Sequence, residues 1–215
     1  MKTPQRLLAE KLLHLSAINL QPDNPFTWAS GWSSPIYTDN RKVLSYPDVR
    51  NFLKIELCRL VVEKFPEADA VVAIESGAVA MGAIIADTLS LPYAFVRSEP
   101  KDHGLENLIE GNLRPGSKVV LVDGVISTGT SAVKALDALY NSACEVLGMV
   151  AVFSYDFPIT IKRLRDANVT LYTASNFPTL LEVAQEIGYI SEADTRVLEA
   201  WRVDPANWTP EISAE

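Results

Sequence analysis

The chain has 215 residues, long enough for one domain with a sizeable core. Hydrophobic residues make up 48% and charged residues 21%, the balance of a soluble globular protein. With 27 acidic against 19 basic residues and a net charge of −8, there is no basic surplus to neutralise a nucleic-acid backbone, so nucleic acid is not expected as the main partner. A small phosphorylated ligand stays possible, because it needs only local positive charge. Cys58 and Cys144 are far apart and lack metal-ligand spacing; they read as reduced core residues of a cytoplasmic protein. No apolar run reaches the length of a membrane span, and Arg6, Glu10 and Lys11 interrupt any signal-peptide pattern at the start.

Thr3-Pro4 opens the first predicted helix, with Leu8, Leu12 and Leu15 on its apolar face and His14 at its edge. Residues 21–46 are irregular and rich in aromatics, punctuated by Ser30-Gly31 and Ser34-Pro35. Residues 26–32 and 36–38 are expected to pair as a hairpin. Aromatics in such a loop pack over something: the core, a planar ligand or a second subunit. Ser45 is the expected N-cap of a helix over 46–65, whose stripe is Val49, Leu53, Leu57 and Leu60, and Pro66 ends it.

Residues 69–74 form an apolar run that predicts a buried strand, followed by Glu75-Ser76-Gly77-Ala78 and a helix to Leu89. Residues 92–97 predict another strand. It leads into a polar, aperiodic stretch to Gly111 that carries Lys101 and His103. Arg97, Lys101 and His103 together could clamp a polyanion, as a loop closing over a substrate does.

The densest chemistry follows. Lys118–Val122 is a β-branched strand that ends on the carboxylate of Asp123; then come Gly124, Val125 and Ile126, and the loop Ser127, Thr128, Gly129, Thr130, Ser131, before a helix over 132–141. Strand, small hydroxyl/glycine loop and helix start make an anion site, with Gly129 allowing close approach to the backbone. Asp123 suits sugar hydroxyls or a bound metal, so the local chemistry points to a phosphorylated sugar. An ordinary capped βα turn is the plain alternative. Neither G-x-G-x-x-G nor GK[ST] is present, which sets aside dinucleotide and P-loop readings. A strand over 144–153, a short helix at 159–167, a strand at 169–172, helices at about 178–188 and 191–202 and a polar tail complete the chain. Ser154, Tyr155 and Asp156 fall at a strand's carboxyl end, where ligands sit in open α/β sheets.

The stretch from Lys118 to Ser131 resembles the 5-phosphoribosyl-1-pyrophosphate (PRPP) motif of type I phosphoribosyltransferases. Phe26-Thr27, Ser30-Gly31 and Ser34-Pro35-Ile36-Tyr37 resemble the N-terminal hood of orotate phosphoribosyltransferases, and Arg97 to Gly111 resembles their catalytic lid. The resemblance runs from Glu10 to about Trp208. It implies a type I phosphoribosyltransferase α/β fold, with a central parallel sheet flanked by helices. It divides the chain into a hood segment (1–45), a core with C-terminal helices (46–203) and a tail (204–215), as one domain overall.

By that resemblance the reaction is orotate plus PRPP to orotidine 5′-monophosphate plus pyrophosphate, with Mg²⁺, in pyrimidine (UMP) synthesis. Arg97, Lys101, His103, Asp123 and residues 124–131 would hold PRPP, with Lys101, His103 and Asp123 catalytic. Ser127 and Ser33 would face orotate. The family's shared lid implies a homodimer. Three positions depart from the pattern: Ser33 replaces the hood's lysine, Gly124 replaces the motif's second acid, and Glu75 enters the pyrophosphate loop. A carboxylate 4 Å from pyrophosphate costs about 4 kcal/mol per charge pair at an effective dielectric near 20. Glu75 is therefore expected to point away or to hold Mg²⁺. Two alternatives stay open: a non-catalytic paralogue that binds a nucleotide or phosphosugar, and a transferase for another base.

Overall fold

The computed structural model describes residues 2–99 and 108–210. Its centre is a six-stranded sheet in the order β10-β9-β8-β5-β6-β7, built from β5 (Ala70–Ile74), β6 (Tyr93–Val96), β7 (Ile109–Glu110), β8 (Lys118–Ile126), β9 (Glu145–Ser154) and β10 (Leu171–Asn176). Five strands are parallel and β7 runs antiparallel at the edge. The parallel strands are the apolar runs of the sequence, because a sheet covered on both faces needs side chains that can be buried on both. All five residues of β5 are buried.

Helices α2 (Pro47–Lys64), α3 (Val79–Leu89), α4 (Thr130–Asn141) and α5 (Pro158–Asp166) flank the sheet. Helix α1 (Pro4–His14) is capped by Thr3, whose side chain accepts from the Arg6 N–H, and it packs on β10 and on α6 (Phe177–Glu186). The Arg6 guanidinium bridges Glu182 and Glu186 of α6. Helix α7 (Glu192–Val203) starts with a reciprocal capping box between Ser191 and Asp194. His14 is exposed, and Cys58 and Cys144 are buried and unpaired.

The hood differs from the expected hairpin. Strand β2 (Phe26–Thr27) pairs with β3 (Ser33–Ser34), while β4 (Ile36–Thr38) pairs with β1 (Ile18–Leu20). The Trp28 N–H donates to Trp32 O and the Gly31 N–H to Trp28 O, so the chain turns back before reaching β4. Ser45 does not cap α2. It ends a 3-10 turn, Asn40–Ser45, and the N-cap is Tyr46, with Pro47 starting the helix. Two strands differ from the expected bounds. Strand β8 runs four residues past Val122, because β9 continues beside it as far as Ser154. Strand β10 starts at Leu171 instead of Val169, since Asn168 turns the chain with φ +54° before pairing with β9 begins.

Hood and core are held by a shared aromatic cluster. Trp201 is fully buried against Trp28, Tyr155, Phe157 and Phe177. The Tyr155 hydroxyl donates to Thr38 Oγ1 at 2.8 Å, and Trp28 Nε1–H to Ile36 O at 3.0 Å. Among the described residues no helix is long and apolar enough to cross a membrane.

Candidate active site

The site lies at the carboxyl ends of β5, β8 and β9, as expected for an open parallel sheet. A cavity of about 250 Å³ is lined by Asp123, Gly124 and Val125 of β8, by Glu75, Ser76 and Gly77 after β5, by Thr38 to Arg41, and by Ser131. The Asp123 carboxylate accepts from the Gly124 and Val125 N–H groups, yet burial outweighs them and pushes its pKa up to about 7. It keeps some exposure to the cavity while the surrounding strands desolvate it. Asp39 also faces this cavity, but the Arg41 guanidinium chelates it at 2.7 and 3.1 Å and holds its carboxyl below the usual range.

Gly124 has a packing role. A Cβ built there would lie 3.1 Å from Gly77 O and 3.2 Å from Gly77 C. The strand and the loop after β5 thus meet backbone to backbone, and an acid at 124 would have to push the loop back. The Gly124 carbonyl accepts from Asn40 Nδ2 at 2.9 Å, which fastens the hood to this strand.

Glu75 lines the cavity, and its carboxylate is engaged by Ser98. Its Oε2 accepts from the Ser98 N–H at 2.9 Å and from Ser98 Oγ at 3.2 Å. Lys134 takes the Ser98 carbonyl from the other side and lies 3.6 Å from Glu99. Glu75 and Ser98 are therefore paired with each other at the end of the strand.

A second cavity, of about 650 Å³, opens next to the first and shares Thr38 and Val125 with it. Its other lining residues are Thr27 to Ser30, Trp32, Tyr37, Ser127, Thr128 and Tyr155. Trp28 and Trp32 lie nearly parallel, with ring centroids 6.3 Å apart. The walls suit a flat ring.

The loop between β8 and α4 begins α4 at Gly129, which has φ +77° and no side chain to cap the helix. The first-turn N–H groups of α4 therefore have no partner within the helix and are available to an anion.

The residues expected to form the site separate as follows. Asp123, Gly124, Val125 and Ser131 share the first cavity, and Val125, Ser127 and Thr128 the second. Ile126 is 1% exposed and belongs to the core, so only its backbone can meet a ligand. Thr130 sits on the outer side of the loop, bonded to Arg163. Ser33 pairs with Thr27 in the hood and is absent from both cavity walls. Arg97 faces Glu110 at 3.9 Å, and its N–H donates to Leu108 O. Lys101 and His103 lie outside the described residues. Thr38, Asp39, Asn40 and Arg41 are site residues that the sequence reading does not single out; only their nearness to the hood motif points to them, because their contacts are long-range. Tyr155, noted at the carboxyl end of its strand, lines the second cavity.

Residues 55–177 match the family model described as a phosphoribosyl transferase domain. The chain is 56% identical over 208 residues to the orotate phosphoribosyltransferase of Phocaeicola vulgatus, covering 97% of this chain and 98% of that protein. It belongs to the orotate phosphoribosyltransferase family. Among solved structures, the orotate phosphoribosyltransferase of Aeropyrum pernix superposes with a TM-score of 0.75 at 27% identity, covering 86% of this chain and 99% of that one. The Mycobacterium tuberculosis enzyme in complex with PRPP shares the fold, with a TM-score of 0.65 at 20% identity, covering 83% and 99%.

Proposed function

We propose that this family member transfers the phosphoribosyl group of PRPP to orotate in the two joined cavities, releasing pyrophosphate and forming orotidine 5′-monophosphate. The observation that carries this reading is their continuity: a carboxylate-bearing polar cavity and an aromatic cavity share Thr38 and Val125, beside an uncapped helix start. A phosphosugar joined to a planar base has that shape. In this reading Ser127 to Ser131 take the 5′-phosphate and Asp123 the ribose hydroxyls. Ser76 and Gly77 take the pyrophosphate, with Ala78 packed behind them in the core. Orotate lies against Ser127 between the hood aromatics, with Ser33 at the hood's edge.

The C1–O bond of PRPP breaks with its electron pair leaving on pyrophosphate, and the base nitrogen closes the C1–N bond as its N–H proton passes to the released pyrophosphate. The protein's tasks are alignment and electrostatic stabilisation. Arg97, Lys101 and His103 supply positive charge for the leaving group, with the lid shared across a homodimer in the cytoplasm.

Among the described residues no cluster of three or more His, Cys, Asp or Glu is placed to hold a metal. Mg²⁺ fits this site as an ion bound mainly by substrate oxygens, with Asp123 the protein carboxylate nearest the sugar position. It would supply charge neutralisation of the pyrophosphate.

The test is loss of orotate ultraviolet absorbance with PRPP and Mg²⁺, run beside Ser33→Lys. Turnover by the unaltered chain is expected. PRPP binding without turnover in either protein would overturn the reading in favour of a binding paralogue.

A further inference from the structure

Two carbonyl oxygens of the loop after β8 are tied to helix α5, more than thirty residues further along the chain. The Thr160 hydroxyl, on a residue only 2% exposed, donates to Ser127 O. The Arg163 guanidinium donates from Nη1 to Thr128 O at 2.7 Å and to Thr130 Oγ1 at 3.0 Å. Thr128 Oγ1 and Thr130 Oγ1 are themselves 3.1 Å apart, which closes the set. Thr160 Cγ2 also lies 3.4 Å from where a Cβ on Gly129 would be, so α5 packs on the loop's back as well as bonding to it.

A peptide unit has its N–H and C=O on opposite sides. Fixing successive carbonyls toward α5 therefore fixes the following N–H groups, those of Thr128 and Gly129, toward the other side. Ser127 and Thr128 line the second cavity, whose walls include no residue of α5. A loop without these anchors could turn a carbonyl inward, and an inward carbonyl repels an anion.

We infer that Thr160 and Arg163 are positioning residues for phosphate: through the carbonyls of Ser127 and Thr128 they preset the loop's amides to receive the terminal phosphate of the sugar. The inference rests on the proposed reading of this loop as the 5′-phosphate site. Helix α5 is suited to the task. Pro158 begins it directly after Phe157, a fully buried member of the aromatic cluster, so its first turn is fastened to the core.

The experiment measures binding of ribose 5-phosphate and of pyrophosphate separately, by calorimetry, to the unaltered chain, Thr160→Val, Thr160→Ser and Arg163→Gln. Thr160→Val keeps the shape and removes the donor. It is expected to weaken ribose 5-phosphate about tenfold, the size of one lost hydrogen bond, and to leave pyrophosphate within about twofold. Thr160→Ser restores the affinity. Arg163→Gln weakens ribose 5-phosphate in the same selective way, and it keeps the test decisive if Thr160→Val does not fold. Unchanged ribose 5-phosphate affinity in a folded variant, or equal weakening of both ligands, overturns the positioning role while leaving the phosphate loop in place. Failure of the unaltered chain to bind ribose 5-phosphate at all overturns the loop reading and this inference together.

Discussion

Asp123 is an acid whose neutral form the ligand-free fold favours, because its surroundings desolvate it more than two backbone N–H groups compensate. Its folded value, about 7, lies above the ordinary 3.8. Stability linked to this group is therefore complete below the ordinary value and is lost as pH rises through the folded one. Asp123→Asn removes that loss. In ligand-free thermal melts, its gain in Tm over the unaltered chain should be larger at pH 8 than at pH 5. Gly124 makes a second residue-scale prediction. An added Cβ there meets Gly77 at 3.1 Å. Overpacking of this kind costs about 1–3 kcal/mol, while a Gly-to-Ala change within a strand returns only about 0.5–1 kcal/mol. Crowding wins, so Gly124→Ala should lower the urea midpoint without changing the slope. Both residues were visible in the sequence as an acid and a missing acid. The close approach of Gly77 was not, because it joins two segments nearly fifty residues apart.

At the scale of elements, the buried parallel strands were legible because short, continuous β-branched runs bounded by turn residues have few uses other than a strand buried on both faces. The βα loop was legible because its chemistry is local. The strands of two or three residues in the hood and at β7 carry too few side chains to show a period, and β10 was offset because its start depends on β9 rather than on its own composition. Glu75 was legible as an odd residue but not in its direction. The structure resolves it as an acceptor for Ser98, and this pairing is testable. Ser98 is exposed, so the bond adds little to global stability, under about 1 kcal/mol. Glu75→Ala should leave the unfolding midpoint nearly unchanged and selectively speed hydrogen exchange at the Ser98 amide.

At the scale of the whole molecule, hood and core behave as one packed body through Trp201 and its neighbours. Only one described hydroxyl pair, Tyr155 to Thr38, adds direction to that apolar contact where the two cavities meet. Tyr155→Phe keeps the ring and removes the bond. It should cost about 1 kcal/mol in urea unfolding and shift unfolding reported by hydrogen exchange of the Trp28 amide to the same extent as unfolding reported by circular dichroism, since the hood has no separate transition. The order of the sheet has a last consequence. Strands β5 and β8 are neighbours, and adjacent strands lie about 4.8 Å apart. At Gly77 and Gly124 nothing but main chain stands between the loop that leaves β5 and the end of β8, from which the second loop departs. The two loops form a caliper whose opening is set by the strand ladder and not by any side chain. Changes to the loop side chains can alter how firmly each end of a ligand is held, but not the length being measured. A sugar with one extra carbon between ring and phosphate should reach only one of the two jaws.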